Sequence, residues 1–190
     1  MGDGMSSGIS SAGAALEYYS RLSAQQAKTK QQAAELAEAA EKVSLKLKTF
    51  TPSGLFAQMY KTDKDNSFFH SFAVGALNGL TNSYNQLNEL SNGLNNLSNE
   101  GKALLDKVKG LLSGPSASKF EEIGLKLDKY SGAIVFDETV FGEKIASDPQ
   151  TVRSILLDAN MLGPVLQETM ATVLAKPATA YFTSSFSVNV

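Results

Sequence analysis

The chain has 190 residues, of which 43% are hydrophobic, and it carries a formal net charge of −2 with no cysteine. This length and composition suit one or two globular domains. The small net charge, without a basic cluster, argues against nucleic acid or an anionic membrane surface as the main partner. The absence of cysteine excludes a disulfide framework, thiolate chemistry and cysteine-based metal sites.

Residues 1–12 consist mostly of Gly, Ser and other small residues. Such a segment offers little apolar surface for packing, so we expect a disordered N-terminus. It also lacks the basic region and the apolar core of a Sec-type signal peptide. No run of about 18 apolar residues follows in the sequence, and we therefore expect no membrane insertion.

Residues 13–50 form the first predicted helix, because they are rich in Ala, Gln, Glu, Lys and Leu and contain no Pro. A heptad pattern runs through them, which is typical of a coiled coil or a long helical hairpin. Its two rows are Tyr19, Gln26, Ala33, Ala40 and Leu47, and Leu22, Thr29, Leu36, Val43 and Phe50.

This coiled-coil-like helix has two interpretations. Its rows pack on the chain's own domain, or they form a seam with another copy or an axial neighbour. The sequence leaves both open. A helix that rises about 1.5 Å per residue is on the order of 50 Å long here, and this length favours a protruding or partner-bound helix.

Residues 51–118 form a helical region after a Thr-Pro-Ser-Gly stop. A second long helix is predicted from residue 68 to about residue 97, with an apolar row that includes Leu80, Leu87 and Leu94. Asn and Ser crowd its opposite face. Because Asn is a poor helix former, tertiary packing must hold this segment in a helix.

Residues 119–177 form a module of one β-hairpin followed by helices. Alternation of apolar and polar residues predicts a strand at about 122–128. The β-branched and aromatic residues that follow predict the return strand at about 133–137. Gly132 lies in the turn between them, where a positive φ costs glycine little.

Two aspartates mark the starts of helices in this module. Asp137 can accept orphan amides of a first turn, and Asp148 precedes Pro149, whose missing N–H is not needed at the first helical position. The remaining residues, 178–190, form a C-terminal tail. Apolar and polar residues alternate in it, as in a terminal strand or an unstructured end.

We predict no catalytic site. His70 is the only histidine, and one His without Cys gives neither a nucleophile–base pair nor the usual zinc ligands. The acidic pairs at 121–122 and 137–138 direct their carboxylates to different faces, so neither is a ready acid–base pair. The common nucleotide-binding and serine-nucleophile motifs are absent. We therefore expect a protein that is not an enzyme and that needs no cofactor or metal.

The order of residues from 119 to 157 resembles the C-terminal domain of flagellar filament-capping proteins, the hook-associated protein type 2 family. In that family a strand of the form (I/L)GI-x-x-D is followed by G-x-(L/I)-x-(F/L)DE, a short helix and DP-x-x-V-x-x-(L/I). The matching residues are Ile123, Gly124, Leu125 and Asp128; Gly132, Ile134, Phe136, Asp137 and Glu138; and Asp148, Pro149, Val152, Ile155 and Leu156. Upstream, Tyr84-Asn85-x-Leu87 is similar to the family's AYN-x-L helix, and the resemblance covers about residues 70–176.

The resemblance implies a non-enzymatic structural protein of the bacterial flagellum, exported by the flagellar type III apparatus and similar to the core of the filament cap. Family members also carry a β-rich insertion before the AYN helix, where this sequence has only a short stretch. Family members also continue into a C-terminal coiled coil that packs on their N-terminal helix. The 190 residues of this sequence contain no counterpart of that coiled coil.

We therefore expect an α+β fold that is predominantly helical, with a long N-terminal helix and a helical bundle packed with one β-hairpin. Apolar rows left uncovered would drive self-association into a homo-oligomer or contact with flagellin-like or other axial proteins. The predicted interaction residues are Tyr19, Leu22, Leu36, Val43, Leu47, Phe50, Leu80, Leu87 and Leu94. The alternative is a cytosolic accessory or peptide-binding module unrelated to flagellar assembly.

Overall fold

A computed structural model describes the backbone of residues 6–183 and the side chains of residues 13–103 and 105–183. This part of the chain contains helices α1 to α8 and one antiparallel hairpin of strands β1 and β2, which confirms the expected helical α+β fold. The bounds are α1 Ser6–Leu47, α2 Leu55–Asp63, α3 Ser67–Asn92, α4 Asn99–Ser113, α5 Ala117–Glu122, β1 Leu125–Leu127, β2 Ile134–Phe136, α6 Glu138–Ser147, α7 Pro149–Leu157 and α8 Leu162–Leu174. Short 3-10 helices lie at Lys48–Phe50 and Ala178–Tyr181.

Helix α1 is the long helix that the sequence predicts, and it begins earlier than expected. Residues 6–12, expected to be disordered, belong to the helix, while residues 1–5 lie outside the described part. Residues 6–12 contain no Pro, so none of them lacks the backbone N–H that a helix requires. At the other end it tightens into a 3-10 turn and stops at Thr51, whose backbone is extended before Pro52.

The core forms where the second half of α1 packs against α3 and α8. From Ala33 onward the inward side chains of α1 are buried, and Ala40 and Val43 have no exposed surface. The small side chains of Ala33 and Ala40 let the helices approach closely, and Leu47 and Phe50 are buried further along the chain. Helix α8 also packs on α4, so the bundle closes around α8.

Helix α3 ends at Asn92, five residues before the predicted end of this helix. Gly93 caps it by donating its amide to the carbonyl of Glu89 at 3.0 Å. The residues that follow form a turn, after which Leu97 makes an antiparallel bridge with Phe182. The Asn-Gly dipeptide at residues 92–93 is a strong turn signal, and the helix ends there.

The hairpin is shorter than predicted, with three residues in each strand in place of 122–128 and 133–137. Its register pairs Leu125 with Phe136 and Leu127 with Ile134. Helix α5, which the sequence analysis does not predict, occupies the start of the expected first strand. Gly124 then has φ +76°, a conformation that interrupts both helix and strand and separates α5 from β1.

The local turn and cap predictions are confirmed. Gly132 has φ +71° in the hairpin turn, and the Asp128 carboxylate accepts the amides of Tyr130 and Ser131, which lower its pKa. Asp137 accepts the amides of Thr139 and Val140 at the start of α6. Asp148 caps α7 ahead of Pro149, and its hydrogen bonds with Thr151 hold its pKa below the usual range.

A pair of glycine substitutions tests this account of the hairpin. Gly124→Ala should lower the free energy of unfolding by about 2 kcal/mol or more, because alanine is strained at positive φ. Its Cβ would also lie 2.6 Å from the Asp137 carbonyl oxygen. The control is Gly75→Ala, an exposed position in α3 with no atom within 4 Å of the added methyl group. The Gly75→Ala substitution should raise the free energy of unfolding by about 0.5–1 kcal/mol. Equal changes in the free energy of unfolding of the two variants, measured by urea denaturation, would contradict the role given to Gly124.

Candidate functional site

The two halves of α1 differ in their surroundings. We call residues 13–32 the uncovered half, because every side chain in it is exposed or only partly buried. At about 1.5 Å per residue it is on the order of 30 Å long. Three large apolar side chains in its first turns face solvent, with exposed fractions of 71% for Leu16, 53% for Tyr18 and 65% for Tyr19.

Seven of the nine predicted interaction residues lie in the chain's own core. They are Leu36, Val43, Leu47, Phe50, Leu80, Leu87 and Leu94, each at most 9% exposed. Leu36, Val43 and Leu47 are buried in the second half of α1, and Phe50 is buried in the 3-10 turn that follows it. Leu80 and Leu87 are buried in α3, and Leu94 is buried in the turn after α3. The buried members of the α1 rows therefore pack on the chain's own domain, which is the first of the two interpretations given above. The remaining two, Tyr19 and Leu22, are in the uncovered half.

The heptad rows nevertheless continue into the uncovered half of α1, where Gln26 and Thr29 are their polar members. Leu22, Thr29 and Leu36 follow one another at seven-residue spacing, so they share one side of the helix. Leu36 is covered by the chain's own core, whereas Leu22 and Thr29 are only partly covered. The uncovered half therefore presents to solvent the same face that the second half buries.

A groove marks the point where α1 leaves the bundle. It lies between α1 and the turn after α3, and its volume is about 500 Å³. Gln32 and Asn96 form its inner end, where the Asn96 side-chain amide donates to Gln32 Oε1 at 3.5 Å. Its lining consists of Ala24, Gln25, Lys28, Thr29, Gln32, Gly93, Asn95 and Asn96.

Charge contributes little to this surface. The uncovered half contains Glu17, Arg21, Lys28 and Lys30, which gives it two excess positive charges. Glu17 and Arg21 pair at 2.5 Å on an exposed side, and such surface pairs contribute about 0.2–1 kcal/mol. Burial of the apolar face is therefore the larger available driving force for association.

The Asn-rich face of α3 has a role that the sequence analysis missed, because it holds the hairpin. The Asn85 side chain accepts the amide of Ile134 at 2.7 Å and donates to the carbonyl of the same residue at 2.9 Å. Asn88 and Asn92 both donate to the carbonyl of Ser131 at 2.9 Å. The signal was present in the sequence as Asn repeated every three or four residues from Asn78 to Asn92.

The side chains considered for chemistry have structural partners. His70 contacts the Lys64 carbonyl oxygen through Nε2 at 2.8 Å. Glu122 pairs with Lys144 at 2.5 Å, and Glu138 accepts from Asn78. Within residues 6–183 no cluster of three or more His, Cys, Asp or Glu side chains has the geometry of a metal site. No helix in the same range is long and apolar enough to span a bilayer.

None of the protein families, curated proteins or solved structures compared with this chain matches it.

Removing the Asn85 side chain tests its role in holding the hairpin. Asn85→Ala leaves the backbone groups of Ile134 without their partners and should lower the free energy of unfolding by about 2 kcal/mol. Hydrogen exchange at the Ile134 amide should also accelerate. The control is Asn82→Ala on the same helix, since Asn82 bonds only to Asn78 within α3. The free energy of unfolding of the Asn82→Ala protein should stay within about 0.5 kcal/mol of that of the parent protein. Equal losses of stability in the two variants would refute the role of Asn85 in holding the hairpin.

A second pair of substitutions tests the division of α1. Leu36→Asp buries an unpaired carboxylate in the core and should lower the free energy of unfolding by about 3 kcal/mol or more. Leu22→Asp places the same charge on the same row in the uncovered half and should change stability by less than about 1 kcal/mol. Thermal and urea unfolding of the two variants gives the answer, and a folded Leu36→Asp protein of unchanged stability would show that the row is not core.

Proposed function

We propose that this protein is a non-enzymatic assembly protein of the bacterial flagellum, similar to the core module of the filament cap. In this proposal it acts through helix-mediated contact with further copies or with flagellin-like axial proteins. The observation that carries the proposal is the apolar face of α1, which is core in the second half of the helix and uncovered in residues 13–32. Export by the flagellar apparatus follows from the same proposal.

The arrangement of the resembling residues supports the proposal. Tyr84 and Asn85, from the stretch similar to AYN-x-L, have connected structural roles: Tyr84 is buried in the core and Asn85 binds Ile134 of the hairpin. Gly124 and Gly132 take the positive φ values at the two ends of that hairpin. These parts of the resemblance thus lie in one folded unit.

The binding energy available from the uncovered half favours an assembly of several molecules over a tight dimer. Complete burial of an exposed large apolar side chain contributes about 1.5–3 kcal/mol. Tyr19, on one row, is 65% exposed, whereas Leu22, on the other, is already partly buried. Gln26 and Thr29 interrupt the two rows with polar groups that need partners. One such contact is weak, but several contacts in a symmetric ring or along a filament strengthen one another.

The runner-up is a peptide-binding accessory module that uses the hairpin as its scaffold. Val135 in β2 is 53% exposed, and Tyr130 at the turn is fully exposed. These side chains offer an apolar surface away from α1. A peptide that binds there would be unaffected by changes in the uncovered half.

Association measurements separate the two proposals. Size-exclusion chromatography with light scattering, at micromolar protein with and without flagellin, should show a concentration-dependent complex. Tyr19→Glu combined with Leu22→Asp should weaken it by at least about tenfold, since two apolar anchors become charged. The control, Ser20→Glu combined with Ala27→Asp, adds the same charge outside the row and should leave association within about twofold. If the parent protein and the variants all stay monomeric and do not bind flagellin, the assembly function is contradicted.

A further inference from the structure

The sequence Asn-Gly-Leu occurs twice in the chain, and the two copies have different surroundings. One copy, residues 78–80, is in the middle of α3. The other begins at Asn92, the last residue of this helix, and continues through Gly93. Asn followed by Gly is prone to deamidation, because glycine has no side chain to hinder the attack of its backbone nitrogen on the preceding side-chain amide. The two copies therefore share their local chemistry, and the fold decides which of them can react.

The helix end leaves Asn92 accessible to this reaction. Asn92 and Gly93 are both exposed, and Gly93 donates its amide to the Glu89 carbonyl at 3.0 Å. The attack requires the Gly93 nitrogen to leave this hydrogen bond, and at the last turn of a helix that needs only local opening. Gly79, by contrast, lies inside α3 next to the buried Leu80, so opening there would disturb the core.

We propose that Asn92 is a site of deamidation in the folded protein. The Gly93 nitrogen forms a bond to the side-chain carbonyl carbon of Asn92, and the bond from that carbon to Nδ2 breaks. The proton of the Gly93 amide passes through solvent to the leaving nitrogen, which departs as ammonia and leaves a succinimide ring. Water then opens the ring at either carbonyl and gives aspartate or isoaspartate at position 92. The net reaction consumes water and releases ammonia.

This conversion changes a contact that holds the hairpin. The Asn92 side-chain amide donates to the Ser131 carbonyl at 2.9 Å, and so does that of Asn88. An ionised carboxylate only accepts hydrogen bonds, so either product removes one of the two donors and brings a negative charge near a carbonyl oxygen. The bonds between Asn85 and Ile134 are unaffected. Deamidation therefore loosens the turn of the hairpin and leaves its strands in place, and this modification is independent of the flagellar function proposed above.

Peptide mapping by mass spectrometry tests the site in the full chain, incubated in mildly alkaline buffer. In the folded protein Asn92 should deamidate at least about tenfold faster than Asn78, since opening at the helix end is local. The control is the chain unfolded in guanidinium chloride, where the two Asn-Gly-Leu segments should react at rates within about twofold of each other. Equal rates in the folded protein would overturn the proposal. So would a folded chain in which neither Asn reacts while the unfolded chain does.

A pair of glycine variants tests the attacking group. Gly93→Ala should slow deamidation of Asn92 several-fold, because a methyl group hinders the attack. Its Cβ would lie 3.5 Å from the Leu90 carbonyl oxygen, an ordinary contact, so the fold should be preserved. The matched control is Gly79→Ala, whose Cβ would lie 3.8 Å from the Lys46 side chain and which should leave the rate at Asn92 unchanged. An unchanged rate in the Gly93→Ala protein would overturn the proposed reaction.

Asn92→Asp supplies the aspartate product directly and tests the effect on the hairpin. In the turn, the Gly132 amide donates to the Asp128 carbonyl at 2.7 Å. Hydrogen exchange at this amide should become at least about threefold faster, while exchange at the Ile134 amide stays unchanged. The control, Asn95→Asp, adds the same charge at an exposed position and should leave Gly132 exchange within about twofold. Unchanged Gly132 exchange in the Asn92→Asp protein, or equal acceleration at Ile134, would overturn the selective loosening of the turn.

Discussion

Close packing of the second half of α1 against α3 and α8 is the constraint on which the rest of the structure depends. Ala33 and Ala40 are almost fully buried there and let the three helices approach. Through α3 this packing also positions the hairpin, because the Asn85 side chain binds both backbone groups of Ile134. The side chains of residues 13–32 of α1, before this packing begins, are exposed or only partly buried.

Features set by neighbouring residues were predictable from the sequence. The cap at Asp148, the cap at Asp137 and the turn at Gly132 all depend on groups within a few positions along the chain. Features that depend on distant contacts were not. The role of Asn85 needs Ile134, which lies 49 positions further along the chain.

The same limit applies to the candidate site. The heptad rows correctly identify the apolar face of α1, but Leu22 and Leu36 occupy equivalent positions in the pattern and have different surroundings. Which part of a row is core depends on the length of the helices packed against it, and periodicity contains no information on that length. The rows therefore predict a surface that can be buried, and the fold determines which part of it remains available to a partner.

The central claim is that α1 consists of a core half and an uncovered half, and native-state hydrogen exchange measured residue by residue along this helix tests it most directly. Amides of residues 33–47 should exchange only with global unfolding, whereas those of residues 13–28 should exchange through local opening at much lower free energy. The account predicts a step in protection near residue 32. Uniform protection along the whole helix, at the level of the core, would contradict it.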